Sequence, residues 1–195
     1  MLLNTALKEW SVAVDAIAQG RQIILLRKGG IKEDQGHFRT QSDQVVLFPT
    51  FEHQKPELLK SEYKGVNYQR SVTPVASGWH PEKITLTVWA QITHIFLATE
   101  ADHICALSDF HIWQPQLTTE RLKWKPKQPL YVLALRAYQL AEPIEIAWNS
   151  ELYGGCRSWV SLNQPVEVST DRPAIDSDTY NVQIEEIKDS ISSSF

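Results

Sequence analysis

Two cations and two glycines follow the first strongly apolar run of the chain. Residues 23–26 are all aliphatic, and Arg27-Lys28-Gly29-Gly30 comes directly after them. Glycines let backbone N–H groups face a ligand in a tight turn, and flanking cations make such a turn a cradle for phosphate. It is not a P-loop, because no Gly-Lys-Ser/Thr follows at the required spacing. An ordinary hairpin turn with solvated cations fits the same residues equally well.

A second basic stretch lies at residues 121–127, Arg-Leu-Lys-Trp-Lys-Pro-Lys, and contains four cations and no acid. Lysines neutralise phosphates, and an indole ring offers a face on which a base can stack. Lys123, Trp124, Lys125 and Lys127 are therefore candidate contacts to a nucleic acid. The alternative is a solvated loop whose tryptophan turns back into the core.

A polar cluster follows the strand predicted at residues 45–48. It contains Glu52 and His53, and polar groups at strand ends often contact ligands. His53 is a candidate ligand contact or general base, and Glu52 is a second candidate base. A simple cap and turn is the alternative. Trp79 lies in a predicted loop, where it could help to form an aromatic cage around a flipped or modified base.

Metal chemistry has little support in the sequence. Asp109 and His111 have ligand spacing but no third ligand nearby, and none of the six histidines shows the spacing of a zinc site. His94 lies on an apolar strand face, where a hydrogen-bonded core histidine is the more common finding. Glu62 and Lys64 lie in a polar loop and do not form the carboxylate cluster of a nuclease. The sequence predicts neither a metal nor a cofactor.

The net charge of −4 is an average over two unlike parts of the 195 residues. Residues 1–162 contain 17 basic and 16 acidic side chains, whereas residues 163–195 contain 2 and 7. A nearly neutral body does not exclude a polyanionic partner, but it offers little long-range attraction. Two cysteines, no long apolar run and no signal-peptide pattern predict a cytoplasmic protein without membrane contact.

Hydrophobic periodicity predicts the elements that position these groups. A helix capped by Asn4 or Thr5 is expected to run through residue 17, because Leu7, Trp10 and Val14 repeat at helical spacing. Strands are predicted at residues 23–26, 45–48, 84–98, 130–140, 144–148 and 156–162, and helices at residues 99–110 and 180–191. The expected organisation is a body at residues 1–164 and an acidic extension with a helix at residues 165–195.

Two segments resemble ASCH domains of the PUA-like superfamily. Trp10, Gly20, Gln22 and Arg27 match the opening of such domains, and residues 140–162, with Leu-Ala-Glu-Pro-Ile and a later Gly-Gly and Trp strand, match their closing strands. The resemblance implies an α+β fold: a small β-barrel with flanking helices and a C-terminal helix. ASCH proteins usually place a glutamate where this chain has Leu25, so a function that depends on that glutamate is not implied.

The chain also resembles a bacterial family, common in cyanobacteria, that is known only as a domain of unknown function. Leu-Leu-Arg-Lys-Gly-Gly-Ile at residues 25–31, Phe-Pro-Thr-Phe-Glu-His-Gln at 48–54 and Gly-Cys-Arg-Ser-Trp-Val at 155–160 carry this similarity. Family members are associated with restriction-type nuclease domains, which implies a nucleic-acid context and a nuclease partner.

These observations predict a domain that binds RNA, DNA or a nucleotide-like small molecule. The more specific prediction is that the domain recognises a modified base in a restriction-type defence system. Arg27, Lys28, Gly29 and Gly30 would hold phosphate, and residues 123–127 would extend the contact. His53, Trp79 and Trp124 would contact the base. Two alternatives stay open: an enzyme acting on a nucleoside or nucleic acid with His53 or Glu52 as general base, and a protein-interaction module that uses the acidic extension.

Overall fold

The computed structural model describes residues 1–29, 31–34, 37–64, 75–76, 78–98, 101–124 and 126–192. The strands are β1 (Leu2–Trp10), β2 (Ile24–Arg27), β3 (Lys32–Asp34), β4 (His37–Arg39), β5 (Gln44–Thr50), β6 (Lys83–Ala98), β7 (Leu130–Ala147) and β8 (Trp159–Glu167). The α-helices are α1 (Ser11–Ala18), α2 (Ala101–Ala106), α3 (Pro115–Lys123), α4 (Ser150–Tyr153) and α5 (Ser177–Ser192). Short 3₁₀ turns lie at Pro56–Leu58, Ser61–Tyr63 and Ser108–Phe110.

Six strands form one mixed sheet in the order β2-β7-β6-β5-β1-β8, and β3 and β4 form a separate hairpin. Strand β1 runs parallel to β5, and every other neighbouring pair in the large sheet is antiparallel. The predicted α+β class is confirmed. The sheet is open, however, with β2 and β8 at its two ends, whereas the prediction had a closed barrel.

The prediction of a helix that starts near residue 5 is wrong, because residues 2–10 form β1 and helix α1 begins only at Ser11. Leu7 and Trp10 are three residues apart, a spacing that resembles one face of a helix, although both residues lie in a strand. Ala6 and Leu7 are both buried, because they lie on opposite faces of the sheet and pack into two different hydrophobic clusters. Two consecutive buried residues break the alternation of a strand, so periodicity does not identify β1.

The longest predicted strand is confirmed as β6, which pairs with β7 along almost its whole length. Strand β7 joins the two strands predicted at residues 130–140 and 144–148 into one. The register of the pair shifts between Leu86 and Val88 and again between Ile92 and His94. Such bulges increase the local twist of the sheet, so a pair this long bends across the molecule.

Helix α5 is packed into the body. Tyr180, Ile184 and Ile187 are buried in one hydrophobic cluster with residues of β2, β7 and α2. Arg136 of β7 donates hydrogen bonds to the carbonyl of Asp176 at 2.9 Å and to the hydroxyl of Ser177 at 3.0 Å. The C-terminal helix thus contributes to the core, and a boundary at residue 164 stays a prediction.

Helix α1 ends at a glycine that a larger residue could not replace. Gly20 has a φ of +70°, and a Cβ added there would lie 2.6 Å from the carbonyl oxygen of Ala174 and against the side chain of Ile175. The backbone before α5 therefore passes directly over the end of α1. Within the part of the chain that the structure describes, no helix is long and apolar enough to cross a membrane.

Candidate functional site

A cavity of about 240 Å³ opens at one end of the large sheet. Parallel strands β1 and β5 end on the same side, β6 begins there, and β7 ends beside the start of β6. Side chains from four strand ends therefore meet in one place. The lining residues are Lys8, Pro49, Thr50, Phe51, Glu52, Gly78, Trp79, His80, Ile84, Trp148, Ser150, Gly154 and Gly155.

Two aromatic pairs form walls of the cavity. The rings of Phe51 and Trp79 meet edge to face with their centroids 6.0 Å apart. His80 stacks on Trp148 with a centroid distance of 4.3 Å and an interplanar angle of 20°. Trp79 is still 46% exposed, so much of its indole surface is open to a ligand. A planar, apolar-faced group is the kind of ligand that such walls accept.

Trp148 is held from behind by the core. Its centroid lies 6.4 Å from that of Phe48 and 6.1 Å from that of Tyr153, and its backbone N–H donates to the carbonyl of Glu82 at 2.8 Å. The indole Nε1–H is buried and has no hydrogen-bond partner among the described residues. Leaving a buried donor unpaired costs about 1–3 kcal/mol. The nitrogen itself is buried, so Trp148 contributes its ring and not this donor to the cavity surface.

Lys8 supplies a cation to the cavity. Its Nζ donates to the carbonyls of Tyr153 at 2.7 Å and Gly155 at 2.9 Å. Since an ammonium group has three N–H donors, one remains for a ligand. Burial lowers the pKa of Lys8, and the nearby Arg157 guanidinium lowers it further.

Glu52 supplies the opposite charge and joins two distant parts of the chain. Its Oε1 accepts a hydrogen bond from the backbone N–H of Gly78. This contact places Trp79 and His80 beside the end of β5. Glu52 also attracts the Lys8 ammonium, so the cavity contains a carboxylate acceptor and an ammonium donor between its aromatic walls.

The turn that carries Glu52 sends three consecutive side chains in different directions. Glu52 lines the cavity, His53 is exposed and Gln54 is buried. Gln54 Oε1 accepts from the backbone N–H of Val12 at the start of α1. His53 makes the reversal with a φ of +61°, a left-handed conformation that is uncommon outside glycine. His53, which we predicted to contact the base, is thus not among the residues that line the cavity.

Arg27 and Lys28 turn inward instead of forming a phosphate cradle. Arg27 Nη1 lies 2.8 Å from Oε2 of Glu9 and donates to the carbonyl of Lys8 at 3.0 Å. Lys28 is 8% exposed, and its Nζ donates to the carbonyls of Leu122 at 3.2 Å and Gln128 at 2.7 Å. The two cations therefore stabilise the fold, and Arg27 also fixes the backbone of Lys8, whose side chain lines the cavity.

Gly29, directly after these cations, serves the turn. Gly29 has a φ of +144°, and a Cβ added there would meet nothing within 4 Å. The residue is needed for its backbone conformation and not for a close approach to another group. Gly30 lies outside the described residues.

Most described residues of the second basic stretch are exposed, but none of them lines the cavity. Lys123, Trp124 and Lys127 are all exposed, and Trp124 is 51% exposed. Lys28 holds both ends of this segment through its two carbonyl contacts. Lys125 lies outside the described residues. The structure thus brings Glu52 and Trp79 together and separates them from the lysine-rich segment.

His94 and His111 make hydrogen bonds within the protein. No group of three potential ligands occurs among the described residues. His111 is buried with its Nδ1 accepting from the Trp113 N–H at 3.1 Å, and burial lowers its pKa to about 4. His94 Nδ1 lies 3.0 Å from the Thr93 hydroxyl, so the predicted hydrogen bond is present, but the side chain is only partly buried and does not belong to the core.

Lys8, His80 and Trp148 are cavity residues that sequence reasoning missed. Lys8 was hidden because residues 5–17 were interpreted as one helix. Trp148 directly follows a strand and precedes Asn149, whose side chain caps α4. That combination of an aromatic residue at a strand end and a helix cap is a signal that could have identified it. His80 has no comparable signal, since its position depends on the contact between Glu52 and Gly78.

The fold and cavity define an α+β protein with an aromatic pocket at the converging ends of its sheet. The chain belongs to the family DUF1802, a domain of unknown function, whose model matches residues 6–186. This confirms the family resemblance and extends the match beyond residue 164. A search of curated proteins gives no match.

Among solved structures the chain is similar to two variants of the protein ZmASCH from Zymomonas mobilis. One has 11% identity and a TM-score of 0.42 over 85% of this chain and 88% of that chain. The other has 12% identity and a TM-score of 0.43 over 82% and 89%. Similarity at this level carries no function to this chain.

Proposed function

We propose that this protein binds nucleic acid, or a nucleotide-sized ligand, by taking one base into the cavity at the end of the sheet. One observation carries the proposal: Trp79 and Phe51 form an aromatic wall within a cavity that also contains Lys8 and Glu52. Stacking of a base on an aromatic side chain contributes about 1–3 kcal/mol. The half-exposed indole of Trp79 is the surface on which the base stacks.

The polar groups of the cavity suit the edge of a base. Lys8 donates to ring nitrogens or carbonyl oxygens, and the Glu52 carboxylate accepts from an exocyclic amine. The cavity of about 240 Å³ is smaller than the roughly 300–1,000 Å³ of sites for drug-sized ligands. It therefore accommodates a single base, while the sugar and phosphates stay outside.

The exposed lysine-rich segment extends the contact. Lys123 and Lys127 neutralise phosphates, and Trp124 offers a second stacking surface. Because the body is nearly neutral, affinity comes from the pocket and these few cations. In its finer form the proposal is that the pocket reads a modified base in a restriction-type defence system, beside a nuclease partner.

Binding of short single-stranded RNA and DNA oligonucleotides tests this function. We expect Trp79→Ala to weaken binding about tenfold or more, from the loss of 1–3 kcal/mol of stacking, and Trp79→Phe to retain part of it. Trp124→Ala is the matched control and should lose less affinity. A salt series separates the phosphate contribution, since affinity falls steeply with salt. The proposal fails if the wild type binds neither plain nor modified oligonucleotides at low salt.

A second candidate is an enzyme that acts on the same class of ligand. The observation that favours it is the shared cavity of Glu52 and Lys8, a carboxylate beside an ammonium whose pKa is lowered by burial. Glu52 would act as the general base, a role for which His53 is less suitable because its side chain lies outside the cavity lining. Turnover of an oligonucleotide that disappears in Glu52→Gln but persists in His53→Ala would favour this candidate over binding alone.

A further inference from the structure

Arg121 is a partly exposed cation whose side chain makes no hydrogen bond with another described residue. It lies in the last turn of α3 and is only partly exposed. Its guanidinium carbon lies 5.9 Å from the centroid of the Trp10 ring. Among the described residues it makes neither a hydrogen bond nor an ion pair, although a guanidinium has five N–H donors.

The carboxylate that attracts Arg121 already makes hydrogen bonds with other groups. Glu9 attracts the Arg121 guanidinium, but its Oε2 lies 2.8 Å from Arg27 Nη1 and its Oε1 accepts from the Trp10 N–H at 2.9 Å. Two guanidinium groups thus surround one carboxylate, which leaves an excess positive charge. Burial lowers the pKa of Arg121, and repulsion from Arg27 acts in the same direction.

A partly buried charge without a partner is destabilising, so such charges are normally paired. The indole face of Trp10 supports one side of the Arg121 guanidinium and is itself packed against Trp113 at a centroid distance of 5.3 Å. The ring thus stabilises the cation on one side. A guanidinium binds an oxyanion through two parallel hydrogen bonds, for which arginine is better suited than lysine.

We propose that Arg121 binds a phosphate oxyanion at the junction of β1 and α3, supported by the charge of Arg27. Lys123 and Lys127 on the same segment are exposed cations that favour a phosphate at this surface. This site is separate from the cavity and does not depend on the proposed base binding. The phosphate is either free in solution or part of a nucleic acid, and the same chemistry recognises both.

Titration with inorganic phosphate at constant ionic strength, balanced with potassium chloride, is the first test. We expect the Nε–Hε NMR signal of Arg121 to shift and saturate, and the thermal midpoint of the wild type to rise with phosphate. Arg121→Gln should bind phosphate at least tenfold more weakly, and Arg121→Lys should bind it with intermediate affinity. Arg21→Gln, a change of an exposed arginine, is the matched control and should behave as the wild type does.

A second arm distinguishes the two sources of phosphate. One oligonucleotide sequence is compared with and without a 5′-phosphate, against wild type, Arg121→Gln and Trp79→Ala. If the wild type binds the 5′-phosphorylated oligonucleotide more tightly and Arg121→Gln does not, the site binds a phosphate monoester. If Arg121→Gln weakens the binding of both oligonucleotides equally, the site binds a phosphodiester. A response to inorganic phosphate alone assigns a free anion. Because Trp79→Ala should still bind inorganic phosphate, failure of the base pocket and failure of this site are distinguishable.

Thermal unfolding in anion-free buffer guards against a folding defect. Because Arg121→Gln removes an unpaired charge, we expect it to unfold at the same temperature as the wild type or a higher one. A clearly lower midpoint would mean that Arg121 acts structurally, and it would overturn the proposal. An identical response of wild type and Arg121→Gln to phosphate would overturn it as well.

Discussion

Arg27 Nη1 lies 2.8 Å from the Oε2 atom of Glu9, and both side chains are about nine-tenths buried. The same nitrogen donates to the carbonyl of Lys8 at 3.0 Å. Strand β2 lies at one end of the sheet and β1 lies next to the other. The ion pair therefore connects two strands that share no backbone hydrogen bonds, and it does so at the residue whose side chain enters the cavity.

Replacing one member of this pair should destabilise the protein strongly. We expect Arg27→Met to lower the free energy of unfolding by about 3–5 kcal/mol, because it removes the arginine that is hydrogen-bonded to the buried Glu9 carboxylate. Urea denaturation measures the change. Lys83→Met is the control, since it breaks an exposed pair with Glu145 at the same 2.8 Å distance and should have little effect on stability. Equal effects of the two substitutions would contradict the structural role of Arg27.

Lys28 should control the order of the lysine-rich segment. Lys28→Met removes the hydrogen bonds to the Leu122 and Gln128 carbonyls but retains the aliphatic stem. We expect the amides of residues 122–124 and 127–128 to exchange hydrogen about tenfold faster, since a hydrogen bond contributes about 1 kcal/mol and one to a charged group somewhat more. Hydrogen-exchange mass spectrometry measures this, with Lys127→Met as control. Unchanged exchange in Lys28→Met would show that other contacts hold the segment.

Stability should fall as the pH decreases through the range in which His111 titrates. Its pKa is lowered from 6.5 to about 4, chiefly by burial and further by Lys60. The unfolded chain therefore binds a proton between these values that the folded chain does not. The neutral histidine contributes its full stability above pH 6.5, and about 3 kcal/mol is lost by pH 4. Unfolding curves between pH 4 and pH 7 measure the slope, which should be much smaller in His111→Gln.

Helix α5 should be required for stability through its buried face. Ile187 is fully buried, and Ile187→Ala should cost about 2–5 kcal/mol because it leaves a cavity in the core. Val182, on the same helix, is 58% exposed, and Val182→Ala should change stability by no more than about 0.5 kcal/mol. Thermal unfolding compares the two. Similar small effects would mean that the helix contributes little to the fold.

The parts of the fold that could be predicted are those with one buried face. Strand β6 alternates for most of its length, and α5 repeats Tyr180, Ile184 and Ile187 at helical spacing, so both were predicted correctly. Strand β1 could not be recognised, because the consecutive residues Ala6 and Leu7 are both buried, one on each face of the sheet. Two strands were predicted in place of β7, because Pro143 interrupts the hydrophobic pattern of the sequence. In the structure the strand continues through Pro143.

Only part of the candidate site could be predicted, because long-range contacts bring its residues together. Glu52 and Trp79 have conspicuous side chains in loops, so residue type alone marked them. Their association depends on the hydrogen bond from Gly78 to Glu52, across 26 residues of sequence. Conversely, Arg27 and Lys28 are the residue types expected in a phosphate-binding turn. The structure shows that Arg27 is paired with Glu9. It also shows that Lys28 is hydrogen-bonded to the carbonyls of Leu122 and Gln128.

The place of β1 in the sheet has a consequence for synthesis of the chain. Its neighbours are β5 and β8, and the backbone of Met1 exchanges hydrogen bonds with Val168. At about 5–20 residues per second, the ribosome needs roughly 10–30 s to pass from the first strand to the last. During that interval the first strand has an uncovered edge that other chains could pair with. The nascent protein is therefore most exposed to aggregation early, and a chaperone that covers residues 2–10 would protect it until β8 emerges.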